Sequence, residues 1–190
     1  MPKKKKFTET SKPKKEATEK YKPLIYENGK IMIDFSYPFV FNTCSIKNVF
    51  INKVKDYKEH LKNNRIIFSE AVNYFSGWTF DELMRESKHN HSIKDKVDLI
   101  WRILKQLLME FNESFTDDNI ENVIINYIGE EEIWQIAYKQ GIRLIGTRNG
   151  SVLKLLFIDY HHLIYPDEWH NGEDFYKYSF CPMTYDVSKI

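Results

Sequence analysis

The strongest constraint in this chain is a change of hydrophobic period between its halves. Residues 133–159 read IWQIAYKQGIRLIGTRNGSVLKLLFID. Three runs there, Ile133–Tyr138, Ile142–Thr147 and Val152–Asp159, are rich in β-branched and aromatic residues, as strands are. Asn149-Gly150 lies between the last two, and Asn-Gly is favoured where both central turn residues need positive φ. A three-stranded antiparallel meander is expected. Its last strand is almost wholly apolar, which suits a strand covered on both faces.

Upstream, the period is helical. Arg65–Phe75 carries Ile66, Ile67, Ala71, Val72 and Phe75, and Ser76-Gly77 closes it. Thr79-x-x-Glu82 spells a capping box for a short helix reaching about Lys88. Ser92 is expected to cap a long helix with Ile93, Val97, Ile100, Trp101, Leu104, Leu107, Leu108 and Phe111 on one face. Thr116–Ile128 reads as a further helix ending at Gly129. Ser45–Lys62 is read as helical, and Phe39–Phe41 as the end of a strand. Leu24–Tyr26 and Ile31–Phe35 flank Asn28-Gly29 as a hairpin, and residues 160–190 are expected to wrap the sheet. Helices segregated from an antiparallel sheet define an α+β fold, a helical N-terminal half on a sheet with a C-terminal meander.

Residues 1–22 stand apart. They hold nine lysines against three glutamates and almost nothing apolar, whereas the remainder holds 19 basic against 24 acidic residues. Such a segment cannot bury enough surface to offset its ordering entropy, so it is read as a disordered tail before a single domain over 23–190. The folded body lacks the basic excess of a nucleic-acid-gripping surface; only the tail, through Lys3, Lys4, Lys5, Lys6, Lys14 and Lys15, offers one. Cys44 and Cys181 form no CxxC, which points to a reducing compartment. No apolar run approaches the ~20 residues of a membrane helix, and the basic start has no apolar stretch behind it, so a cytoplasmic protein is expected.

Reactive side chains concentrate after the last strand: Asp159, Tyr160, His161, His162, Tyr165, Asp167, Glu168, His170, Glu173 and Asp174. His161 or His162 could serve as a general acid or base near neutral pH. Asp159, one of them and His170 could instead bind a divalent metal, though no established ligand spacing is present and none is assigned. Adjacent residues on a strand point to opposite faces, so the two histidines diverge if the strand continues. His89-Asn90-His91 spells HNH, but its flanks read as a helix end and a helix cap, so it is placed in a loop. Gly141, Gly146 and Gly150 form no phosphate loop, and no cofactor motif is found. Arg143 and Arg148 share a strand five residues apart and so face opposite sides. Arg143 reads either as a solvated edge charge or as a contact for phosphate.

Ile133-Trp134-Gln135-Ile136, Ile142-Arg143-Leu144-Ile145, Asn149-Gly150 and Val152–Phe157 together resemble the C-terminal sheet of RelE-like toxins, small bacterial ribonucleases, over residues 130–165. That resemblance implies metal-independent cleavage of mRNA, often on the ribosome, and an antitoxin partner that blocks the site. It would make Arg143 the phosphate holder, with His161 or His162 and Tyr160 or Tyr165 moving protons around the ribose 2′-OH. Two departures stand out: the family usually has Lys-Lys where this chain has Asp159-Tyr160-His161-His162, and its members are small and strongly basic. The alternative is a non-catalytic interaction or accessory protein of a mobile element or toxin–antitoxin system. FIDYHHLIYP also resembles the endings of uncharacterised small proteins of low-GC bacteria.

Overall fold

The computed structural model describes residues 29–111, 115–129, 131–139, 141–166 and 177–184. The lysine-rich segment and the first arm of the expected N-terminal hairpin fall outside them.

The meander forms as its sequence indicates. Strands β5 (Glu132–Ala137), β6 (Arg143–Asn149) and β7 (Val152–Asp159) are antiparallel neighbours. Gly150 turns the β6–β7 hairpin at φ 59°. Two short strands extend the sheet: β1 (Met32–Asp34) lies parallel to β7, and β4 (His91–Ser92) lies antiparallel to β5. The order is β1-β7-β6-β5-β4, so the sheet is mixed and β7 is internal. Leu153, Leu155, Leu156, Phe157 and Ile158 are all buried, as expected of a strand covered on both faces. The ladder shifts register between Ile145 and Gly146, where Ile145 pairs with Phe157 but Gly146 with Leu155.

Helices cover both faces. Along one, Phe80 packs edge-on against Trp134 and Phe75 against Tyr138. On the other, Phe50, from a short hairpin rather than a helix, meets Phe157 at 5.7 Å, and Lys154 Nζ donates to the Tyr127 carbonyl at 3.0 Å. α1 (Tyr57–Arg65) runs through a π turn at Ile66–Ala71 into α2 (Val72–Phe75), with Ile66, Ile67, Ala71 and Phe75 buried. α3 (Phe80–Glu86) opens on the full capping box of Thr79 and Glu82. α5 (Asp117–Ile128) begins after Thr116 and ends at Gly129.

Three local expectations are corrected. Ser45–Lys62 is not one helix. Asn48, at φ 56°, reverses the chain between β2 (Ser45–Ile46) and β3 (Phe50–Ile51). Asn52 then locks that hairpin, accepting from the Cys44 amide at 2.7 Å and donating to the Asn42 carbonyl at 3.1 Å. α1 starts only where the Asp56 carboxylate accepts from the Glu59 amide. Phe39–Phe41 is a turn, with the Asn42 amide bonded to the Phe39 carbonyl at 3.0 Å. Ser92 does not cap the long helix, because its backbone pairs with Trp134. α4 (Val97–Phe111) begins beyond it and buries Ile100, Ile103, Leu104, Leu107 and Leu108, while Phe111 is exposed.

Candidate functional site

The ends of β5 and β7 meet the start of β6 at one end of the sheet, where Ala137, Arg143 and Asp159 stand abreast. Asp159 closes β7. Its fully buried carboxylate accepts from the amides of His161 at 3.1 Å and Ile164 at 3.0 Å, turning the chain sharply away. Burial pushes its carboxyl above the usual range, against the pull of those amides.

This turn separates the two adjacent histidines, with His162 at φ 58°. The His161 ring bonds the Lys53 carbonyl through Nε2 at 2.7 Å and stacks on Tyr178 at 3.9 Å. Tyr160 sits beside it at 6.4 Å, and burial keeps its phenol protonated well beyond the ordinary range. The His162 ring instead meets the His89 ring edge-on at 6.0 Å. Tyr165 lies elsewhere again, its hydroxyl donating to Asp95 at 2.5 Å and its ring 5.2 Å from His91. Burial, then that bond, raises the Tyr165 phenol.

His89 is held from beneath by Asn90. The buried Asn90 side chain donates to the Leu83 carbonyl at 2.9 Å and accepts from the Ala137 amide at 2.8 Å. Gln135 Nε2 donates to the His89 carbonyl at 3.1 Å. His89 and Asn90 lie in the expected loop, and only His91 leaves it, as the first residue of β4. Burial, then the charges of Arg143, Lys88 and His91, lowers the His89 imidazole, which favours its neutral form.

Arg143 completes this group. It is 7% exposed, so it is not a solvated edge charge. Its Nη1 donates to the Ile142 carbonyl at 3.1 Å, and its buried Nε has no partner. Arg143 and His89 line a shallow groove of about 530 Å³ walled by Tyr74, Tyr138 and Lys139, with Lys139 paired to Glu70 at 3.1 Å.

Of the side chains singled out from sequence, Arg143 and His162 both come to His89. His161 with Tyr160, and Tyr165 with His91, occupy separate surroundings. His89 was missed as a site residue. The only local signal was Asn90, whose amide can bridge two backbone segments at once. Lys3, Lys4, Lys5, Lys6, Lys14 and Lys15 lie outside the described residues. Among the described residues no three His, Cys, Asp or Glu side chains stand together as a metal site, and no helix is long and apolar enough to cross a membrane.

Comparison with known proteins matches residues 36–187 to the family model described as Uncharacterised protein UU032. The chain belongs to the UU032 family. A UU032 protein of Ureaplasma parvum serovar 3 is 26% identical over 140 residues, covering 72% of this chain and 71% of the relative. No solved structure gives a significant match. The UU032 match takes in β2 through the end of β7 and thus every member of the His89, Arg143 and His162 group. It also bears out the likeness to uncharacterised small proteins of low-GC bacteria, and shows none to RelE-like toxins.

Proposed function

We propose that this member of the UU032 family cleaves RNA without a metal, at the groove lined by His89 and Arg143, where the His162 ring meets His89. The observation that carries the reading is the pairing of two imidazoles at 6.0 Å next to a buried guanidinium with an unpartnered Nε. Two imidazoles can divide general base and general acid duties, and a positioned guanidinium can hold the charge that develops on phosphate. The resemblance of the β5–β7 sheet to RelE-like toxins supports the same class of substrate.

His89, favoured in its neutral form, is suited to take the proton of a ribose 2′-OH. The 2′-oxygen attacks phosphorus, and the bond to the 5′-oxygen breaks. His162 supplies the proton to that leaving oxygen, giving a 2′,3′-cyclic phosphate and a 5′-hydroxyl. Arg143 holds a non-bridging oxygen throughout. The lysines of residues 1–22 would add salt-dependent attraction for the RNA backbone.

The test is incubation of the full chain with an unstructured RNA oligonucleotide in EDTA. Cyclic phosphate ends should appear, and H89A and H162A should each lower the rate by roughly 10²–10⁴-fold, the usual worth of one acid–base group. Rates unchanged in both variants would sink the reading.

The acidic balance of residues 23–190 favours a second reading, a non-catalytic partner of another protein or of RNA. Binding of RNA with no cleavage at any pH from 5 to 9 would select it.

A further inference from the structure

Arg148 lies at the opposite end of β6 from Arg143 and faces the other side of the sheet, paired with Glu132 and Leu153. Its guanidinium sits 4.3 Å from the Phe80 ring centroid and 4.7 Å from that of Trp134, while Nε donates to the Gly150 carbonyl at 3.0 Å. Stacking and that one bond fix the planar head, so little rotamer entropy is left to lose when its other donors find a partner. No ion pair engages Arg148 among the described residues, nor Arg85, which lines the same cleft. Beneath them Ser151, 2% exposed, carries a buried Oγ with no hydrogen-bond partner. An unpartnered buried hydroxyl costs stability unless something satisfies it.

We propose that this cleft binds the phosphoryl group of a small phosphate monoester, held by Arg148 and Arg85 with Ser151 as a third donor. Two guanidinium forks and a hydroxyl offer more donors than a carboxylate's two oxygens can use, and they match the three terminal oxygens of a phosphate monoester. The carboxylates of the cleft do not cancel the charge. Glu82 is engaged by Lys30 at 3.1 Å and by the Thr79 amide at 2.7 Å, which leaves Asp81 against two arginines. The cleft volume of about 460 Å³ leaves room for a sugar-sized body beyond the phosphate. This site shares no residue with the His89 groove and stands whether or not that groove cleaves RNA.

The experiment is calorimetric titration of the full chain with ribose 5-phosphate, with free ribose and NaCl-matched buffer as controls. Saturable binding of ribose 5-phosphate is expected, with none for ribose. R85Q and R148K should each weaken it by roughly tenfold or more, the worth of a lost charge-assisted contact. Arg85 is exposed, so R85Q tests the site even if R148K disturbs the stacking on Phe80 and Trp134. H89A should bind as the wild type does. Absent or non-saturable binding, equal binding of ribose, full affinity in R85Q, or loss in H89A would each overturn the proposal.

Discussion

Arg143 and Asp159 stand directly opposite each other across β6 and β7, both buried, yet each spends its hydrogen bonds elsewhere. Asp159 accepts from two loop amides, and Arg143 donates to its neighbour's carbonyl. The carboxylate thereby shapes the loop that carries His162, while Arg143 lines the groove with its Nε buried and unpartnered.

Asp159 should make stability depend on pH in a definite direction. Burial raises its folded carboxyl above the ordinary 3.8, so the folded state holds that proton to higher pH than the unfolded chain. Its contribution is therefore greatest at low pH and is lost as pH rises through the raised value. In urea titrations between pH 3.5 and 7, D159N should lack this decline; an unchanged slope would refute the assignment. D159A strands two amides and should cost about 1–3 kcal/mol for each.

Gly146 is required by close approach. A Cβ there would lie 2.4 Å from the Lys154 carbonyl oxygen, a backbone atom that cannot swing aside. G146A should destabilise the protein by about 1–3 kcal/mol, as overpacked cores do. Wild-type stability in G146A would mean the β6–β7 ladder is looser than described.

Phe157 is fully buried against Phe50. F157A should cost about 3–5 kcal/mol in chemical denaturation and reduce soluble yield. A loss below 1 kcal/mol would show that the β7 core is not formed as described.

The adjacent histidines should part company on mutation. H161A removes the bond to Lys53 and the stack on Tyr178, and should lower stability by about 1–2 kcal/mol. H162G relieves a positive φ and should hold or raise the melting temperature while abolishing cleavage. If H162G unfolds the protein and H161A is silent, the two roles are reversed.

Thr79 closes the capping box of α3, accepting from the Glu82 amide at 3.2 Å. T79A should cost about 1 kcal/mol in denaturant unfolding. An equally stable T79A would show that the box contributes nothing to the native state.

What the residues determined by themselves were the features with local causes. The β5–β7 meander follows from β-branched runs and Asn149-Gly150, the start of α3 from Thr79 and Glu82, and the close of α5 from Gly129. Those signals act within a few residues, so no distant partner is needed to read them. Tertiary structure decided the rest. Met32–Asp34 becomes a parallel strand only because β7 offers it an edge, and His91–Ser92 becomes a strand only because β5 does. Ser45–Ile51 abandons a helical spacing because Asn48 turns and Asn52 ties the loop across it. The same holds for the site. His89 and His162 are far apart in the chain and meet only because Asn90 and Asp159 fix the two loops that carry them. Burial of Arg143 depends on what the fold stacks around it, and no spacing along one strand encodes that.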